Sequence, residues 1–214
     1  NRSEFHEFEM KKIPRKTITR VLLYIRTLES LIKEKRYLVS SKQLAEITGL
    51  SDVKIRKDIS NFRSVGRPRI GYNTIELKKT LANYLLQNNV VRLVLFGAGN
   101  LGSAILKYPG FHQSKVKVVA AFDVAPGKVG KRINGVKIYP VERAPEIIKR
   151  SRADIGIIAV PKENSQEAAN YMVLSGLHRI INFAPCSISV PTKVQVRNFD
   201  FTIEFLSLFC DSPK

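Results

Sequence analysis

Acidic residues are scarce in this chain: 18 Asp and Glu stand against 36 Lys and Arg, a net charge of +18 over 214 residues. So large a basic excess points to a polyanionic partner, with nucleic acid the first expectation and mere solubility the weaker reading. Cysteine is scarcer still. Cys186 and Cys210 stand without Cys-x-x-Cys spacing or neighbouring histidines, which argues against a disulfide framework or a metal site. Both are expected as buried free thiols, a redox role for Cys210 being the minority reading. No apolar run approaches the ~20 residues of a membrane span, and neither a long basic amphipathic helix nor a lipidation signal is present. A membrane partner is therefore not expected. No secretory signal opens the sequence, so the expectation is a cytoplasmic protein.

What is present suffices for two cores. The apolar fraction is 44%, and the length is comfortable for two domains. The basic charge is uneven: residues 10–80 hold 18 Lys and Arg against 6 acids, so +12 of the +18 lies there. The first ten residues show no period and read as a loose arm. After Pro14, Ile18, Val21, Leu22, Ile25, Leu28, Leu31 and Ile32 follow helical spacing, predicting a helix over 15–35. "SSKQLAEITGLSDVKIRKDISNF" then reads as two short helices joined by "TGLS", the mark of a helix-turn-helix. Ser40 or Ser41 caps the first helix, which turns Leu44, Ala45 and Ile47 inward. Gly49 stops it, and Ser51 caps the second. Val53, Ile55 or Ile59, and Phe62 give the second helix its apolar face. Lys54, Arg56, Lys57 and Arg63 project elsewhere, and with Ser41 and Lys42 they are the candidates for contact with DNA. A solvated face on a small helical bundle is the competing reading. "SVGRPRIGYN" weighs against it, because a Gly- and Pro-punctuated turn between short extended runs is a β-wing. Its tip presents Arg67 and Arg69 to a narrow, A·T-rich minor groove.

Beyond a connecting helix through Leu77, Leu81, Leu85 and Leu86, the period changes at "VVRLVLFGAGNLGSAILKY", residues 90–108. A nearly continuous apolar run predicts a strand covered on both faces. Gly97, Gly99 and Gly102 then match G-x-G-x-x-G, with Ala98, Asn100 and Leu101 between them. Gly97 permits the tight turn, Gly99 the approach of a pyrophosphate, and Gly102 the packing of helix on strand. The next strand, "VKVVAAFD", ends in Asp123. An acid there accepts from the adenosine ribose hydroxyls and repels a 2′-phosphate, so NAD or NADH is expected over the phosphorylated cofactor. Lys128 and Arg132 nearby work against that preference. Further alternation, "GVKIYP", "VERAPEIIKR", "ADIGIIAVP", "NSQEAANYMVLSG", "HRIINFAP" and "TKVQVRNFD", predicts a Rossmann-like, doubly wound parallel sheet. Strand C-termini in such sheets face the ligand, which puts Val160, Pro161, Asn182, Phe183 and Pro185 near the nicotinamide. Val160 and Phe183 are equally readable as core.

An enzyme of this class needs a proton donor or acceptor beside the substrate. His6 lies in the loose arm, His112 after the first Rossmann helix, and His178 at the N-terminal end of a strand. No Ser/Tyr-x-x-x-Lys dyad is present, and the remaining length leaves no room for a substrate domain. The expectation is binding without catalysis. The alternatives are a small NAD-dependent oxidoreductase with an accessory nucleic-acid-binding domain, and a CoA- or nucleotide-binding module, which Asp123 disfavours.

The combination resembles the redox-sensing transcriptional repressor Rex family. It is carried by "IPRKTITRVLLYIRTLE", "SSKQLAEITGLSDVKIRKDISNF", "VGRPRIGY", "FGAGNLGSAI", "AAFDVAPGKVG", "IGIIAVP", "INFAP" and "VRNFDFTIEFLSL", nearly everything beyond residue 10. The chain departs at the wing, where Arg67-Pro68-Arg69 stands for an expected Lys-Arg-Gly. The resemblance implies a winged-helix domain over 1–86, an NAD(H)-binding domain over 87–199 and a swapped C-terminal helix over 200–214. It further implies a homodimer on palindromic operator DNA, released by NADH. Phe201, Phe205, Leu208 and Phe209 suit a helix covered by a partner subunit. Carried over residue by residue, the switch comprises Arg26, Tyr108 and Asp200. Arg26 and Asp200 pair in the DNA-binding state, and Tyr108 moves with the nicotinamide pocket. A largely apolar pocket near Phe201 and Val160 prefers neutral dihydronicotinamide to the cationic oxidised ring.

Overall fold

Helix α1 (Arg15–Lys33) starts at Pro14, whose carbonyl accepts from Thr17 N–H at 2.8 Å. Its inward face is Val21, Tyr24, Leu28 and Leu31, at the three- and four-residue steps of a helical seam. This seam is rotated from the expected one: Leu22 is 50% exposed, whereas Tyr24 is fully buried. The cause is polar. The Tyr24 hydroxyl donates to Asp58 at 2.9 Å, so its ring can enter the core without orphaning the oxygen. Strand β1 (Leu38–Val39), helix α2 (Ser41–Thr48), helix α3 (Asp52–Ser60), strand β2 (Tyr72–Asn73) and helix α4 (Thr74–Leu86) complete this part, with β1 and β2 antiparallel. Leu44, Ile55, Ile59, Phe62, Leu77 and Leu81 close the core around α1.

The computed structural model describes residues 14–62, 71–86, 89–111 and 115–211. They divide into two units, 1–88 and 89–214.

In the second unit strand β3 (Val91–Phe96), helix α5 (Asn100–Leu106), strands β4 (Val116–Asp123), β5 (Arg132–Ile133) and β6 (Val136–Pro140), helix α6 (Ala144–Ser151), strand β7 (Ile155–Ile158), helix α7 (Lys162–Leu174), strands β8 (Arg179–Asn182) and β9 (Gln195–Asn198) and helix α8 (Phe201–Cys210) follow in order. The seven-stranded sheet runs β5-β6-β4-β3-β7-β8-β9. All its pairings are parallel except β5 with β6. This is the doubly wound parallel sheet the alternation predicts, with one small antiparallel edge added. That edge is a hairpin turned through Asn134 and Gly135, both at positive φ, and a two-residue strand is too short for period reading to find. Alternation in β3 sends Val94 and Phe96 to the core under α6 and α7, and Leu93 and Leu95 to the core under α5. The strand order reverses between β3 and β7, where doubly wound sheets open a crevice.

Candidate functional site

In the first unit, the local caps expected from sequence set the helix-turn-helix. Ser40 Oγ accepts from Gln43 N–H at 3.1 Å while Gln43 Oε1 accepts from Ser40 N–H at 2.8 Å, a reciprocal box. Ser51 Oγ accepts from Lys54 N–H at 3.4 Å at the start of α3. Ile55, Asp58, Ile59 and Phe62 are buried. Lys42, Lys54, Arg56 and Lys57 are exposed and Ser41 half-buried. Arg56 is partly engaged, its Nη1 lying 2.9 Å from Asp52. Two expected core residues are corrected: Val53 is 63% and Ile47 50% exposed. In α3 the buried positions are Ile55, Asp58 and Ile59, at i, i+3 and i+4, and Val53, two residues before Ile55, falls on the opposite side. Arg63, Arg67 and Arg69 lie outside the described residues.

The roll of α3 is fixed by a feature that periodicity does not reveal. Asp58, 4% exposed, accepts from Arg20 Nε at 2.6 Å, Arg20 Nη2 at 2.7 Å and the Tyr24 hydroxyl at 2.9 Å. Burial raises its pKa, but the bonds from Arg20 and Tyr24 outweigh that and hold the carboxyl below its usual range. Tyr24 is raised in turn, chiefly by burial and then by Asp58. Arg26 lies on the exposed side of α1, beside Thr27, Ser30, Glu34, Arg36 and Ile47 in a shallow recess.

In the second unit a cleft of about 360 Å³ opens at the strand C-termini. Its floor and walls are Phe96, Gly97, Gly99, Phe122, Asp123, Val124, Ala125, Lys128, Ala159, Val160 and Pro161, among others. Gly97 has φ +94, and a Cβ there would strike the Ala159 carbonyl; one on Gly102 would strike the Gly97 carbonyl. At Gly99 a Cβ would meet nothing within 4 Å. The turn is thus tight behind and open in front, the shape a pyrophosphate requires. Asp123 is 7% exposed. Its Oδ2 accepts from Ala98 N–H at 2.8 Å and Lys128 Nζ at 3.2 Å, and its Oδ1 from Ala125 N–H at 2.9 Å. Burial pushes the carboxyl up, but the Ala125 and Ala98 N–H groups and Lys128 bring it below its ordinary value, so it presents an anion to the cleft. These residues fit a dinucleotide: an open glycine turn for phosphates, a fixed carboxylate for ribose hydroxyls and an apolar floor for rings.

Not every expected residue joins the cleft. Ala98 is buried and contributes its N–H to Asp123, while Asn100, Leu101 and Gly102 belong to the first turn of α5. Asn182, expected near the nicotinamide, is fully buried, its Nδ2 donating to the Cys186 carbonyl at 2.8 Å and Asn198 Oδ1 at 3.0 Å, its Oδ1 accepting from Ala184 N–H at 3.0 Å. Every polar atom of that side chain holds the loop after β8. Tyr108 lies apart from this cleft. It follows α5, which carries the chain about 10 Å from the glycine turn, and lines a separate recess with Leu106, Phe111, Val116 and Val136. Phe183 stacks on Phe199 at 5.4 Å and on Phe201 at 6.2 Å, an aromatic ladder reaching the start of α8. Pro185 is exposed beyond β8. Asp200 caps α8, accepting from Thr202 N–H at 2.9 Å. Cys186 is half-buried, its Sγ 3.0 Å from Ser165 Oγ. Cys210 is exposed, contrary to expectation, because α8 finds no cover on its own unit. Sequence reading missed the α7 wall, Asn164, Glu167, Ala168 and Tyr171. Their i, i+3, i+4, i+7 spacing was available as a signal.

Among the described residues no group of His, Cys, Asp and Glu could hold a metal, and no helix is long and apolar enough to cross a membrane.

A family described as a putative DNA-binding protein N-terminus matches residues 12–60, and one described as a CoA binding domain matches residues 88–186. The chain is 41% identical to the redox-sensing transcriptional repressor Rex of Pelotomaculum thermopropionicum, over 90% of each chain. It is 40% identical to that of Syntrophobacter fumaroxidans, over 92% of this chain and 94% of that one. Among solved structures, RSP in complex with beta-NAD+ and operator DNA superposes with a TM-score of 0.82 at 33% identity, covering 93% of this chain and 92% of that one. RSP in complex with beta-NADH gives 0.79 at 33% identity over 93% of each. Two sites of different chemistry on one chain, and relatives that match along nearly all of it, lead to one conclusion: this chain belongs to the Rex family of redox-sensing transcriptional repressors.

Proposed function

We propose that this chain represses transcription as a homodimer on palindromic operator DNA, and that NADH releases it, so that repression follows the cellular NADH/NAD+ ratio. The observation that carries this reading is a dinucleotide cleft on the same chain as a helix-turn-helix with an exposed basic face. RSP, at 33% identity, binds beta-NAD+ with operator DNA and binds beta-NADH, which supports both ligands here. In this reading residues 1–86 contact DNA, 87–199 hold the cofactor and 200–214 dimerise. All of Phe201 to Cys210 is exposed, with Phe205 at 68% and Phe209 at 78%; a second subunit is the cover such a helix requires. The protein works in the cytoplasm, where DNA and nicotinamide pools meet.

Gly97 and Gly99 cradle the pyrophosphate and Asp123 the ribose, and the apolar side chains set the redox preference. The bound group supplies the signal through its charge, cationic when oxidised and neutral when reduced, and an apolar surround favours the neutral ring. A ligand shifts two states only by its difference in affinity for them, about 5 kcal/mol for a near-complete reversal. We read the cleft as binding without turnover, a reading supported by relatives that are named as transcriptional repressors; Asp123 and Lys128 on its wall are paired with each other, and Glu167 and Tyr171 are the other titratable groups that line it. The test is fluorescence anisotropy of a labelled palindromic, A·T-centred duplex at fixed salt, titrated with NADH and then with NAD+. Release by NADH alone is expected; binding indifferent to both, or oxidation of NADH in the presence of carbonyl substrates, contradicts the reading.

A further inference from the structure

Val53 is an aliphatic side chain in a place where burial does not explain it. It occupies the second position of α3, in the first turn, and is 63% exposed. Its exposed neighbours on the helix are Lys54, Arg56 and Lys57. The exposure is enforced, because the far side of α3 is anchored by Ile55 and Ile59 in the core, by Phe62 just past its end, and by Asp58 clamped to Arg20 and Tyr24 of α1. Rolling Val53 inward would drag that carboxylate out of its bonds. A branched apolar group held outward within a basic helical face is surrounded by charges complementary to phosphate.

We propose that Val53 is a specificity-determining residue that packs its methyls against the 5-methyl of a thymine in the major groove. The inference rests on the DNA-binding reading above and adds the base that this helix selects. In a helix-turn-helix the first residues of the second helix reach the base edges, and thymine alone among the DNA bases offers an apolar methyl there. Lys54 and Lys57 supply attraction to any sequence; Val53 distinguishes thymine from cytosine.

The test uses the full chain. Duplexes are selected from a randomised pool, and in the tightest one each thymine is replaced in turn by deoxyuridine, which removes only the methyl. Affinities of the wild type and of Val53→Ala are then measured by anisotropy at one salt concentration. At one thymine in each half-site the wild type loses about fourfold in affinity, the worth of one buried methyl. Val53→Ala, already weaker on the intact duplex, loses nothing further there. Val53→Ile, which keeps an aliphatic group, retains the wild-type sensitivity. Both variants keep the fold, since the side chain lies outside the core. Equal sensitivity of wild type and Val53→Ala at every thymine, or no sensitivity in either, overturns the assignment and leaves DNA binding intact. A pool from which nothing is enriched contradicts the DNA-binding reading itself, and the inference with it.

Discussion

Asp58 and Asp123 are both buried carboxylates held below their ordinary pKa, yet they are put to different uses. Asp58 is satisfied by side chains from another helix, Arg20 and Tyr24, and faces no cavity lined by ligand-binding groups. Asp123 is satisfied mainly by backbone N–H groups of its own loop and of the glycine turn, and lines an open cleft. The first arrangement ties two helices together, and removing either partner leaves a charge uncompensated. The second holds an anion in place chiefly through backbone N–H groups, with Lys128 as its side-chain partner, and still faces the cleft. Partners, more than burial, separate a carboxylate that ties helices together from one left facing an open cleft.

Substitution separates the two roles. Asp58→Asn has the largest effect: breaking one side of a buried pair costs about 3 kcal/mol, with Arg20 left behind. Amide hydrogen exchange in α1 and α3 is expected to accelerate accordingly, with NADH affinity unchanged. The pH dependence follows from the depressed pKa. The clamp contributes fully above the unfolded carboxyl value of about 3.9 and is lost as pH falls through the lower folded value, so acid destabilises the wild type more than Asp58→Asn in urea unfolding across that window.

Asp123→Asn has the opposite profile. It weakens NADH by about tenfold or more, the worth of a hydrogen bond to a charged group, and narrows the preference for NADH over NADPH, both read by fluorescence titration. If Asp58→Asn weakened NADH, or Asp123→Asn loosened α1 and α3, the contrast would fail. Lys54→Ala has the smallest effect: weaker binding on all duplexes alike, and a salt slope reduced by about 0.9 for one lost phosphate contact, checked by anisotropy over a range of salt.

Local chemistry was readable from sequence alone. Ser40, Gly49 and Ser51 announce the helix-turn-helix because caps act within a few residues, and Gly97, Gly99 and Gly102 announce the turn because only backbone sterics are involved. Choices settled between distant elements were not readable. Tyr24 is inward because Asp58, 34 residues away, accepts a hydrogen bond from its hydroxyl. Asn182 is at a strand C-terminus, where ligand contact is the rule, but its amide is consumed by Cys186 and Asn198. Tyr108 carries a role that only the resemblance implies, and within one subunit it lines a recess apart from the cleft.

Under the proposed function the cleft and the helix-turn-helix are one thermodynamic system. The most direct test is the affinity of the full chain for NADH with and without saturating operator duplex. Linkage requires the duplex to weaken NADH by the same factor by which NADH weakens the duplex. Equal factors well above one are predicted; an NADH affinity indifferent to the duplex would contradict the account.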